Sequence, residues 1–237
     1  MSYSPDFGYE DHFVADARQE ERVSFIRKTY AHVAGAVALF IALTAIMVNT
    51  PSIVEPLANI AFGNWWLVLI AFFIASTAAH RMAASPANPG LQYMGLGLYA
   101  FAEAILFAPM IWLIRTHMQG GDQIIVQAAL FTLMIFGGLT AFVMITKTDF
   151  SFLRGILSLA FWAVLALIVV HFLTGFTLGT WFAMGMVVLM SGFILWETSN
   201  VLHVYRTDQY VAASLAIFSS LATLFWYVLQ LTASMED

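Results

Sequence analysis

Residues 178–202 read LGTWFAMGMVVLMSGFILWETSNVL. The run is apolar almost throughout and long enough for a membrane-crossing helix, which needs about 20 such residues. Glu197 interrupts it, and insertion scales put an acid at a helix centre at about 2.5–3.5 kcal/mol. A segment of this kind is not stable alone in lipid with its carboxyl group turned outward. It reads as one helix of a larger bundle, with Glu197 facing the bundle interior or water.

The rest of the chain supplies that bundle. Of 237 residues, 61% are hydrophobic and 10% charged, against about 45–50% apolar and about 25% charged in an ordinary soluble domain. Such a chain cannot hide its apolar side chains in one soluble core, so it reads as a polytopic protein whose first partner is the lipid bilayer. There are no cysteines, which excludes disulfides, thiolate metal sites and cysteine nucleophiles. The net charge of −5 is spread thinly with no basic run, so no nucleic-acid partner is expected. The six histidines (12, 32, 80, 117, 171 and 203) show no metal-ligand spacing, and GxSxG, HExxH and P-loop patterns are absent. No enzyme, no catalytic residue and no bound cofactor is expected.

Scanning for apolar stretches of this length gives seven, at 28–49, 64–84, 90–115, 123–145, 152–173, 178–202 and 209–231. Between them lie NTPSIVEP, SPANPG, HMQGGD, TKTDFS, TGFTLG and YRTD, all rich in turn residues. Nothing alternates like a barrel strand, and backbone hydrogen bonds must close within a segment in lipid. The expected fold is therefore an all-α, seven-helix transmembrane bundle over 28–232. A polar tail precedes it at 1–27, and a short acidic tail follows at 233–237. Arg18, Arg22, Arg27, Lys28, Arg81, Lys147, Arg154 and Arg206 fall at one end of such a bundle, and Arg115 alone at the other. The positive-inside rule then puts the N-terminus in the cytoplasm and the C-terminus opposite. Trp65, Trp66, Trp112 and Trp181 fall near span ends on the non-cytoplasmic side, as an aromatic belt would.

Among fourteen acids, only Glu103 and Glu197 lie within spans. Each has two readings: a carboxyl group hydrogen-bonded between helices for packing alone, or a functional ionisable group. On the third span Gln92, Tyr99 and Glu103 share a stripe, and Pro109 beyond them is expected to kink the helix. On the sixth span Glu197 and Asn200 share a face beside Thr198 and Ser199. On the seventh, Ala212, Ala216 and Ser220 make a small-residue face, continued by Thr223, that permits close approach and brings Ser220 towards Glu197. Arg81, at the end of the second span, either balances one of the acids or snorkels to the interface. Burial and a nearby cation act in opposite directions on a carboxyl group. The expectation is a titratable site around Glu197, a proton-sensitive switch of helix contacts.

The stretch ILWETSNVLHVYRTDQYVAASLAIFSSLATLFWYVLQL (194–231) resembles the C-terminal signature of the Bax inhibitor 1 (transmembrane Bax inhibitor motif) family. RKTYAHVAGAVAL (27–39), FAEAILFAPMI (101–111) and ITKTDFSFLRGIL (145–157) extend the likeness over nearly the whole chain from residue 27. The resemblance implies seven helices with a cytoplasmic N-terminus. In many members it also implies two aspartates, late in helix 6 and in helix 7, that gate a pH-dependent calcium or cation leak, with a helix-2 arginine as counter-charge. Here those positions are Glu197 and Ser220, with Thr223 where the family has asparagine, Glu103 matching the helix-3 glutamate, and Arg81 suitably placed for the counter-charge. The paired-acid mechanism is then missing its second half, and Glu197 is left as the calcium candidate. Glutamate with serine is similar to the bacterial YccA branch, which implies a multi-pass protein of the bacterial inner membrane that modulates the membrane AAA protease FtsH in a stress response.

Overall fold

The computed structural model describes residues 13–86, 88–175 and 179–236, with Phe172 described in its backbone only. The described residues form α1 (Gln19–Val48), α2 (Pro51–Gly63), α3 (Trp65–Ala83), α4 (Pro89–His117), α5 (Gly121–Thr146), α6 (Leu153–Thr174), α7 (Thr180–His203) and α8 (Tyr210–Glu236). Seven of these are long and apolar enough to cross a membrane. The chain is an all-helical, multi-pass membrane protein built as one seven-span bundle. Among the described residues, extended pairing is limited to an isolated bridge between Phe13 and Arg206.

The additional helix, α2, occupies sequence that reads as a turn. Pro51 and Pro56 suggest a break, but Pro51 sits at the first helical position, where its missing N–H has no partner to lose. Val54, Ala58 and Ala61 are buried while Ile53, Ile60 and Phe62 are exposed. Thirteen residues are too few to span a bilayer. The short helix covers the end of the bundle between α1 and α3.

Of the segment expected as a polar tail, residues 1–12 lie outside the described residues. Helix α1 begins at Gln19, well before the apolar stretch, with Glu20 and Glu21 in its first turn favouring the helix dipole. At the other end α8 runs on through Ser234 to Glu236, and Asp237 lies outside the described residues. Pro109 is buried within α4, which continues through it to His117.

Helices α8 and α4 are the centre of the bundle: 61% and 56% of their apolar windows are buried, against 6% for α6. Leu159, Leu173, Ile145 and Trp181 are left largely exposed, as lipid-facing side chains are. Three apolar clusters hold the centre. One joins α1 and α4 to α8 through Phe40, Phe107 and Phe218. A second joins α5 and α7 to α8 through Ile124, Ile194 and Leu224. The third gathers Val14, Phe25, Val33, Val201 and Ile217 at the end of the bundle that carries the cations. At Gly95 a Cβ would stand 2.6 Å from the Ala79 carbonyl oxygen and 2.7 Å from the Ala83 nitrogen. The absence of a side chain there is what lets α3 and α4 meet. Gly175 ends α6 with φ +72°, the left-handed cap that favours glycine.

Alternating helices put both ends of the molecule on view. At the basic end the α5–α6 connection is tied to α7 by the Phe150 N–H donating to Ser199 Oγ at 2.9 Å. At the far end Arg115 pairs with Asp122 at 2.7 Å and donates to Asn49 Oδ1 at 3.1 Å.

Candidate functional site

Glu197 stands on α7 in the basic half of the bundle, 8% exposed, with Ser220 of α8, 6% exposed, as its polar side-chain neighbour. The small-residue face of α8 is what allows this. Ala213 is fully buried and Ala212 and Ala216 are half-buried, so α7 and α8 pack closely enough for short polar side chains to meet.

The carboxyl group is incompletely satisfied. Its Oε2 atom has no hydrogen-bond partner, and neither do the buried hydroxyls of Tyr30, Thr140 and Thr198. The Thr140 and Thr198 hydroxyls lie beside Tyr30, and Glu197 is close by. Three helices, α1, α5 and α7, therefore bring polar atoms to one place. Buried polar groups are nearly always paired, so such a cluster calls for a physical reason.

A second polar group lies nearer the middle of the bundle. Glu103 on α4 is 3% exposed, with Tyr99 one turn before it as its polar neighbour. The Tyr99 hydroxyl hydrogen-bonds Ser219 Oγ at 2.8 Å, adjacent to Ser220. Tyr99 thus stands between Glu103, one turn away, and the stretch of α8 that carries Ser220. Glu103 also lines a cavity of about 370 Å³ that Thr223 shares, reaching towards His171 and Gln230 at the far end. Thr223 donates to the Ser219 carbonyl oxygen at 2.9 Å.

The sequence-designated residues thus fall into two pairs, Glu197 with Ser220 and Glu103 with Thr223. Asn200 lies in the last turn of α7 below Glu197, its carbonyl accepting the N–H groups of Val204 at 2.9 Å and Tyr205 at 3.1 Å. Arg81 is exposed in the last turn of α3. Among the described residues no ion pair joins it to Glu103 or Glu197; the pairs present are Arg18–Glu21, Arg115–Asp122 and Arg206–Asp208.

Sequence reading alone passed over several participants. Tyr30, Thr140 and Tyr205 are scattered over α1, α5 and the α7–α8 connection, and no spacing rule links them. Tyr205 lies outside the spans, and its hydroxyl is held well above the usual range by burial, with the Glu197 charge adding to it. Val14 is fully buried beneath this site and donates its N–H to the Tyr205 carbonyl at 2.9 Å. The segment before α1 therefore closes the basic end of the bundle under Glu197.

Comparison with known proteins identifies the family. The family model described as "Inhibitor of apoptosis-promoting Bax1" matches residues 22–237. The chain is 26% identical over 231 residues to Bax inhibitor 1 of Schizosaccharomyces pombe, covering 94% of this chain and 81% of that protein. It is 26% identical over 227 residues to an uncharacterized protein of Pseudomonas aeruginosa, covering 92% of each. Protein lifeguard 4 of Mus musculus is 24% identical over 240 residues, covering 97% of this chain and 92% of that protein. No solved structure matches the chain. With seven spans, buried glutamates on α4 and α7, and a family model matched from the first helix to the C-terminus, the chain belongs to the Bax inhibitor 1 family.

Proposed function

We propose that this protein is a regulatory component of the bacterial inner membrane that binds and restrains the membrane AAA protease FtsH, with the Glu197 site setting its conformation according to pH. The observation that carries this reading is Ser220 where a second acid would complete a two-carboxylate gate, with Val14 sealing the basic end beneath it. Glutamate with serine is the combination of the YccA branch, which is the branch associated with that protease. The basic end, facing the cytoplasm under the positive-inside rule, also carries the start of the chain, which offers a cytoplasmic protease its first contact. The test is co-purification from native membranes. The full chain should bring down the AAA protease, and a chain lacking residues 1–12 should bring down less. Absence of the protease from the full-length sample would sink the reading.

A second reading is a pH-dependent calcium or cation leak using one carboxyl group. It is favoured by the Tyr99–Ser219 bond, which ties the Glu103 turn of α4 to the stretch of α8 carrying Ser220, and by the unpartnered Oε2 of Glu197. Calcium flux into proteoliposomes, measured across pH, separates the two. Flux through the wild type that Glu197→Gln abolishes selects the leak. No wild-type flux, with leak appearing in Ser220→Asp, selects the regulatory reading.

A further inference from the structure

We infer that the cavity above Glu103 is a binding site for a small organic ammonium ion. The cavity, about 370 Å³, lies between α3, α4, α6, α7 and α8, within the size range of small-ligand sites. Its walls are aromatic and its deepest ionisable group is a carboxyl group. Trp65 and Trp226 stack with ring centroids 6.1 Å apart. Phe107 meets Trp226 edge-on at 5.0 Å, and Phe182 meets Tyr227 at 5.9 Å. These rings brace one another, so their orientation is set before any ligand arrives.

Ring faces attract a cation through their quadrupole, most strongly when the cation is desolvated. An ionised carboxyl group beside them adds coulombic attraction, which is strong away from water. Glu103 is the only acid among the lining residues, and no lysine or arginine is paired with it in the ion pairs of the described residues. A hard metal ion is poorly served here. Calcium takes six to eight oxygen ligands, and the described residues contain no group of three or more acids and histidines placed to hold a metal. An ammonium bearing methyl or methylene groups needs few oxygens and gains from every ring. The site thus takes a different ligand from the ion expected at Glu197. Its mouth, near Trp65, His171 and Gln230, admits either a free ammonium compound or the headgroup of a choline or ethanolamine lipid.

The test is isothermal titration of choline into the full chain in phosphatidylglycerol nanodiscs. Saturable binding is expected, with the neutral isostere 3,3-dimethyl-1-butanol weaker by at least about tenfold. Glu103→Gln, which removes that attraction, should weaken choline by at least about tenfold at an unchanged melting temperature. If that variant fails to fold, Trp65→Leu at the rim replaces it with the same expectation. Glu55→Gln on the exposed face of α2 should bind like the wild type. Nanodiscs of phosphatidylethanolamine distinguish the sources. Weaker apparent choline affinity there assigns the site to a lipid headgroup, and unchanged affinity assigns it to a free cation. The inference is overturned by absence of saturable choline binding, by equal binding of the neutral isostere, by calcium competing at equal concentration, or by wild-type affinity in the Glu103 or Trp65 variant.

Discussion

Ser220 on α8 is the polar side chain that meets the Glu197 carboxyl group of α7, and both are more than nine-tenths buried. Without Ser220, a buried carboxyl group whose Oε2 already lacks a partner loses a polar neighbour, and a buried polar group left unsatisfied costs about 1–3 kcal/mol. Ser220→Ala should therefore lower the thermal midpoint in detergent. In a Glu197→Gln background the same substitution should behave differently, with a coupling of about 0.5–3 kcal/mol. Strict additivity of the two changes would show that the residues do not interact.

Val14 joins the segment before α1 to the α7–α8 connection, through its N–H on the Tyr205 carbonyl and its side chain against Val201 and Ile217. A buried valine contributes about 1.5–3 kcal/mol, so Val14→Asp should destabilise this end first. The chain lacks cysteine, so a single Asn200→Cys reports on access. Its maleimide labelling should rise severalfold when Val14→Asp is added. Unchanged labelling would mean that Val14 does not close this end.

Gly95 faces the backbone of α3 at distances no Cβ tolerates, whereas Gly97 has open space. Gly95→Val should cost about 1–3 kcal/mol or more through overpacking. Gly97→Ala should be neutral or stabilising by up to about 1 kcal/mol through helix propensity. Thermal unfolding of the two variants checks the contrast, and equal midpoints would contradict the close α3–α4 approach.

Asp149 lies in the α5–α6 connection, outside the spans. The Ser151 N–H donates to its Oδ1 at 2.8 Å and holds its carboxyl group below the usual range. A depressed folded pKa contributes stability that is complete above the unfolded value of about 3.9 and fades as pH falls through the folded one. Asp149→Asn should therefore be slightly less stable than the wild type near neutral pH and converge with it in acid. The effect is small because the group is exposed and solvent-screened. A gap that widens on acidification would refute the assignment.

Eight of the nine cations mark one end of the bundle, so cysteines placed at Ser24 and Ser234 should be labelled from opposite sides of intact cells. Labelling of Ser24→Cys by an impermeant reagent from outside would reverse the orientation.

Composition and apolar run length alone determined the class of molecule and the number of spans, because lipid imposes its thickness and its demand for closed backbone hydrogen bonding on each segment separately. They also singled out Glu103 and Glu197, since an acid in such a run is conspicuous without any partner in view. The small-residue stripe on α8 pointed to a close approach of α7, and Ser220 stands beside Glu197 in the fold. The sequence did not disclose α2, whose two prolines read as a turn until the packing of Val54, Ala58 and Ala61 made a helix of it. It also left Arg81 open between counter-charge and interface, and the fold places it exposed at the end of α3. The Tyr99–Ser219 bond, the hydroxyls around Glu197, the aromatic cavity and the sealing by Val14 were decided only by tertiary structure. Each joins residues from helices far apart in the chain, and local periodicity holds no information on which faces of distant helices will meet.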